Sequence, residues 1–240
     1  MSGEFDADLI ACADIVRRAD PARFQAAMAA PVAARRVLFA IYAFNVEVAR
    51  APWVTQEPMI AEMRLQWWVD ALEDIRAGGV VRRHEVVTPL ARVLDADGAG
   101  WLIDLIEARR WDIGRDPFAD EGDFTRYIEA TSGNLIRAAA RALGPAEEAA
   151  LMDAGFALGL ANWFRAIPAL EAAGRKPLPD GRPEAVRALA REGLRRLAKV
   201  RSGRGAVSRA AAPALLPLCG GRAGPAQGRA PPGCCGGWHA

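Results

Sequence analysis

An all-α helical bundle is the fold class predicted for this chain of 240 residues, on three observations. Alanine, the strongest helix former, is abundant, and runs of β-branched residues are few. Apolar side chains recur at spacings of three and four, most clearly at Phe39, Tyr42, Ala43 and Val46, with Arg50 closing the same face. Caps and breakers such as Asp20-Pro21, Pro31, Gly78-Gly79 and Gly144-Pro145 cut the chain into helix-length pieces. No stretch alternates convincingly as a strand, and no short-period repeat is visible. With 52% hydrophobic residues the chain can bury a sizeable core.

Taken in order, residues 5–18 form a first helix with Leu9, Ile10, Ala13 and Val16 inward. Asp20 caps a short second helix, with Pro21 at its first position. Pro31 opens a long helix that ends near Arg50, and the segment 51–58 breaks it. A helix from about Met59 to Arg76 stops at Gly78-Gly79. Thr88-Pro89 starts a helix reaching about Ala96, and Trp101 to Trp111 forms the next. A polar loop spans residues 114–122, followed by one long helix from Phe124 to Leu143 and another from Ala146 to about Ala173. A turn-rich loop from Gly174 to Pro183 leads to a helix over Glu184 to Val200.

The net charge of +2 hides an asymmetry. No Asp or Glu follows Glu192, while Arg195, Arg196, Lys199, Arg201, Arg204, Arg209, Arg222 and Arg229 all do. The body is therefore mildly acidic and the end basic. Residues 1–200 read as one helical domain, and residues 201–240 as a Gly/Pro/Arg-rich tail. Ala211 to Leu218 still resembles a helix start, whereas Gly220 to Ala240 shows no packing pattern. Three origins fit that ending: an altered reading frame, a natural basic tail, or a plain disordered end. A disordered basic end is no recognition surface by itself, so no nucleic-acid partner is expected.

Cys12 stands alone, and Cys219, Cys234 and Cys235 form no CxxC pair. With only His84 and His239 besides, no structural metal site is expected, and the chain reads as cytoplasmic. No apolar segment follows a basic start, so no signal peptide is expected. The uncharged stretch from Ala154 to Phe164 is too short to span a bilayer, which leaves peripheral contact with the inner face of the membrane open.

Four stretches, in order, carry a family likeness: Tyr42-Ala-Phe44, Leu65-Gln-Trp-Trp-Val-Asp-Ala-Leu72, Tyr127-Ile-Glu-Ala-Thr-Ser-Gly133, and Ala157-Leu-Gly-Leu-Ala-Asn-Trp-Phe-Arg165 with Gly174-Arg175 and Leu178-Pro179 after it. Together they resemble the squalene/phytoene synthase family. That resemblance implies an isoprenoid-synthase-type bundle around a central cavity and Mg2+-dependent head-to-head joining of prenyl diphosphates. Such chemistry needs two aspartate-rich helical segments, because Mg2+ must neutralise the diphosphate before it leaves. Laid on the family's motifs, the aspartate positions fall at Ala49 and Trp53, and at Ala166 and Leu170. None can bind a metal. Asp70 and Asp74 share a helical spacing but read as a solvated face, and Asp116 and Asp120 bracket Pro117 in a loop.

Tyr42-Ala-Phe-Asn45, Glu47, Glu57-Pro58 and Arg64-Leu-Gln-Trp-Trp68 are similar to an aspartate-poor branch of the family, which includes a mitochondrial assembly factor of respiratory complex I. The expected protein is thus catalytically degenerate, with no catalytic or metal residues and no cofactor. It acts as an accessory or assembly protein with a respiratory-complex partner, or binds an isoprenoid or lipid ligand. The alternative is an active phytoene or squalene synthase with Mg2+ held by other ligands, so the sequence leaves enzymatic activity open. Ligand-pocket candidates are Tyr42, Asn45, Glu47, Arg64, Trp67, Trp68, Asn162 and Arg165. Trp67 and Trp68 point about 100° apart on a helix, so one of them belongs to core packing. Glu47 has a structural role open to it beside an arginine, Arg64 among them. Gly133, Gly155 and Gly159 suit close helix contacts rather than a phosphate cradle.

Overall fold

The computed structural model describes residues 6–203 and 205–219. Ten α-helices account for most of them: α1 Ala7–Ala19, α2 Pro21–Ala29, α3 Val32–Arg50, α4 Pro58–Arg76, α5 Val87–Ala91, α6 Ala96–Arg109, α7 Glu121–Ile128, α8 Asn134–Leu143, α9 Glu148–Ala172 and α10 Pro183–Ser202. Among the described residues there is no strand, only an isolated bridge between Ala146 and Val207. The all-α bundle expected from the sequence is the fold.

Several boundaries follow directly from local chemistry. The Asp6 carboxylate accepts the Leu9 N–H at 2.9 Å to start α1, and Asp20 accepts the Arg23 N–H at 2.9 Å to start α2. Pro58 occupies the first turn of α4, where its missing N–H costs nothing. Gly78 stops that helix with φ of 65°, a conformation other residues rarely adopt.

Two expectations are corrected. The helix begun at Thr88-Pro89 ends at Ala91, because Asp95 caps a new helix by accepting the Gly98 N–H at 2.8 Å. The helix expected over Phe124 to Leu143 is interrupted by a π-turn at Glu129–Gly133. There α9 crosses so closely that a Cβ on Gly155 would stand 2.4 Å from the Gly133 Cα. A Cβ on Gly159 would stand 2.7 Å from the Ser132 Cβ. These glycines thus let α9 seat directly on the π-turn, which carries buried Thr131 and Ser132.

The main core joins α1, α3, α4, α6 and α8 around Leu38, Phe39, Leu65 and Leu105. A second, aromatic cluster gathers at the other end, where Trp111 stacks on Phe118 with ring centres 4.0 Å apart, next to Tyr127 and Trp163. The Trp163 indole N–H donates to the Pro177 carbonyl at 2.8 Å, which ties the loop after α9 to this cluster.

Residues 205–219 pack back onto the bundle. Val207, Ala211, Ala214 and Leu215 are buried, and Ala212–Cys219 forms a 3-10 segment where the sequence suggested a helix start. The tail expected from residue 201 onward is thereby corrected, since its first part, 205–219, belongs to the packed bundle; residues 220–240, to which the altered-frame and disordered readings apply, lie outside the described residues. No helix among the described residues is long and apolar enough to cross a membrane.

Candidate functional site

A large cavity of about 1130 Å3 lies between α3, the π-turn and α9. From α3 come Asn45, Val46, Ala49 and Arg50, and the 3-10 turn Ala51–Trp53 adds Trp53. The π-turn contributes Thr131 and Ser132, and α9 contributes Leu158, Gly159 and Asn162 through to Ala173. Exposure rises toward the C-terminal ends of both α3 and α9: Asn45, Val46, Leu158 and Gly159 are buried, whereas Arg50, Trp53, Arg165 and Ala173 are exposed. The mouth therefore lies at those helix ends, and the floor lies on the π-turn and Leu135. The Ser132 hydroxyl is buried on that floor without a hydrogen-bond partner.

One wall is a buried polar triad. The Tyr127 hydroxyl donates to the Asp112 carboxylate, at 2.9 and 3.1 Å from its two oxygens. The Arg109 guanidinium donates to the same carboxylate at 3.1 Å and to the Tyr127 oxygen at 3.0 Å. Burial pushes the Tyr127 phenol well above its ordinary range, so it stays a neutral donor. Arg175, from the loop after α9, donates to the Asp112 carbonyl and lies over the Trp53 ring, 4.6 Å from its centre. The triad and Arg175 thus fix the mouth-side wall to Trp53.

Electrostatically the cavity is unlike a cation site. The charged residues lining it are Arg23, Arg50, Arg109 and Arg165 against Asp20 and Asp112. Asp112 is engaged by the triad, and Asp20 caps α2 and pairs with the Arg23 guanidinium. Arg165 has only the Asn162 side-chain oxygen, at 2.7 Å, and no carboxylate partner among the described residues. Arg50 pairs with Glu47, so Arg165 is the lining cation left without a carboxylate partner among the described residues, and it favours an anion. Ala49, Trp53, Ala166 and Leu170, the positions on which the sequence resemblance lays the family's aspartates, all line this cavity. Among the described residues no three His, Cys, Asp or Glu side chains gather as a metal site.

Of the pocket candidates, Asn45, Asn162 and Arg165 come together on the cavity wall. Tyr42 is buried one face away, its ring 5.7 Å beneath the Arg23 guanidinium. Glu47 pairs with Arg50 at 3.4 Å rather than with Arg64, which is exposed on α4. Trp68 packs edge-on against Phe44 in the core. Trp67 is half-buried against His84 under the Arg82 guanidinium. Neither indole lines the cavity, because α4 turns that face toward α3 and the 80–86 loop. Asp70 accepts from Gln66 at 2.8 Å, and Asp74 pairs with Arg82 at 3.0 Å.

Arg23, Arg109, Asp112 and Ser132 line the cavity without having stood out in the sequence. Tyr127 and Ser132 lie inside a stretch that carries the family likeness, and that was the available signal. Arg109 and Asp112 are ordinary-looking helix-end charges until the fold closes Tyr127 over them.

Comparison with known proteins agrees with this architecture. A crystal structure of a dehydrosqualene synthase in complex with ligand superposes with a TM-score of 0.74, covering 89% of this chain and 83% of that one at 15% identity. The human protein named NADH dehydrogenase (ubiquinone) complex I, assembly factor 6 is 24% identical over 172 residues, which is 65% of this chain and 48% of the relative. Its Drosophila melanogaster homolog is 28% identical over 177 residues, 70% of this chain and 52% of the relative. The chain thus spans about half the length of these relatives. Residues 16–212 match the squalene/phytoene synthase family, and to that family the chain belongs.

Proposed function

We propose that this chain is an accessory factor for assembly of a respiratory complex, built on a prenyl-synthase bundle. On this reading its cavity holds an isoprenoid-like or other lipid molecule and performs no metal-dependent condensation. The observation that carries the reading is the identity of the residues at the four family aspartate positions: Ala49, Trp53, Ala166 and Leu170 turn apolar side chains to the cavity. Mg2+ binds through carboxylates together with phosphate oxygens and water. The two carboxylates that do line the cavity are already committed to Arg23, Arg109 and Tyr127, so the donor set does not fit a magnesium–diphosphate cluster. The similarity to proteins named complex I assembly factor 6 supports the accessory role.

What remains suits binding. Apolar walls from Val46, Leu135 and Leu158 accept a hydrocarbon chain, and arginines at the mouth suit an anionic head. The chain would work on the cytoplasmic side, free or at the membrane surface. The competing reading, an active phytoene or squalene synthase, draws on the same cavity and requires metal ligands from elsewhere. The two are separated by incubating the purified chain with farnesyl or geranylgeranyl diphosphate and Mg2+, and by tagging it in its own cell. The accessory reading expects no head-to-head product, together with co-purification of respiratory-complex subunits. Metal-dependent formation of a C30 or C40 product would establish the transferase instead.

A further inference from the structure

The apolar surface of this protein is unevenly distributed. Of ten exposed large apolar side chains among the described residues, five fall within eleven residues: Trp53, Val54, Met59, Ile60 and Met63. Met59 is 76% exposed and Met63 is 66% exposed, one helical turn apart on α4. The short link 54–57 and the packing of the 3-10 turn against α4 bring Trp53 and Val54 beside them. A contiguous exposed apolar patch of this kind marks a contact surface.

Its position says which contact. Trp53 belongs both to the patch and to the lining of the cavity mouth, so the patch rims the opening. Cations without carboxylate partners flank it. Arg64 follows Met63 and makes no ion pair among the described residues, Arg165 lines the mouth with only Asn162 as partner, and Arg175 lies over the Trp53 ring. On the acidic side, Arg110 pairs with both Glu62 and Glu107, and Glu57 makes no ion pair among the described residues. We propose that this rim docks on an anionic bilayer, with Trp53, Met59, Ile60 and Met63 entering the headgroup–acyl boundary and the cavity opening onto the membrane. Tryptophan and arginine suit that boundary, where an apolar body and a polar tip are both satisfied. A bilayer also explains why the apolar rim coincides with the mouth of an apolar cavity, since a lipid would then pass between the two without crossing water. The contact goes beyond the accessory role and does not depend on it.

The test is sedimentation of the full chain with vesicles of phosphatidylcholine alone and of phosphatidylcholine mixed with phosphatidylglycerol, with no other ligand added. The chain is expected to bind the mixed vesicles more strongly than the neutral ones. A Met59→Gln/Met63→Gln variant should lose binding by about tenfold or more. Its thermal unfolding should match the parent, because both side chains are exposed. Val80→Gln, at a 97% exposed site away from the patch, should bind as the parent does. The proposal is overturned if the parent does not sediment with mixed vesicles, or if the double variant binds equally well. It is also overturned if the parent is a dimer in solution that the double variant dissociates, since the patch would then belong to a second copy.

Discussion

An Asp112→Ala variant is expected to lose about 3 kcal/mol of stability, near the low end for breaking a buried ion pair. Asp112 is almost wholly buried, and removing it strands the Arg109 guanidinium and the Tyr127 hydroxyl without their shared acceptor. The low end applies because Arg109 also faces the cavity, where water can reach it. For a chain of this length the loss corresponds to a fall in unfolding temperature of roughly 6–12 °C. An Arg109→Met/Asp112→Leu pair should recover part of it, since replacing both charges leaves only the Tyr127 hydroxyl without its partners. Scanning calorimetry of the single and double variants checks both statements. A single variant as stable as the parent would mean that the triad contributes little to closing this end of the bundle.

Gly155→Ala is expected to be comparably damaging, at about 3 kcal/mol, the upper range for overpacking a tight contact. The new Cβ would meet backbone atoms, 2.4 Å from the Gly133 Cα and 2.8 Å from its nitrogen, and backbone cannot swing aside as a side chain does. To relieve the clash α9 must lift off the π-turn, and the cavity floor formed by Thr131 and Ser132 moves with it. Gly100→Ala, inside α6 with nothing within 4 Å of the added carbon, is the unstrained comparison and should gain up to about 1 kcal/mol from helix propensity. Chemical denaturation of the two variants should separate them clearly, and equal midpoints would contradict the close-contact account.

The sequence made the helices legible wherever a cap or breaker marks an end. Asp20-Pro21, Pro31, Pro58 and Gly78 act through their own backbone and side-chain chemistry, so their effect is local. Asp95 is less legible, because the helix it caps carries Gly98 and Gly100 in its first turns, and the first of them supplies the capped N–H. The π-turn carries no local signal in the sequence, and the glycines that let α9 pack on it lie more than twenty residues further along the chain. The same distinction governs the site. Asn45, Asn162, Arg165 and the four apolar replacements lie at motif positions, so the resemblance pointed to them. The Asp112 triad is assembled from the end of α6, a 3-10 turn and α7: Arg109 and Asp112 form an i,i+3 pair, and nothing local couples that pair to Tyr127. The adjacent indoles at Trp67 and Trp68 suggested a ligand wall, but which face of α4 meets the cavity is a matter of packing.

The most direct test of the central claim is thermal unfolding of the intact chain with a non-hydrolysable farnesyl diphosphate analogue, with and without Mg2+. A ligand that binds the folded state raises the unfolding temperature in proportion to its occupancy. If apolar residues have replaced the metal ligands and arginines face the head group, any stabilisation should be the same in the presence and absence of Mg2+. A stabilisation that appears only with Mg2+ would show that a metal–diphosphate site survives in this cavity, and would contradict the account.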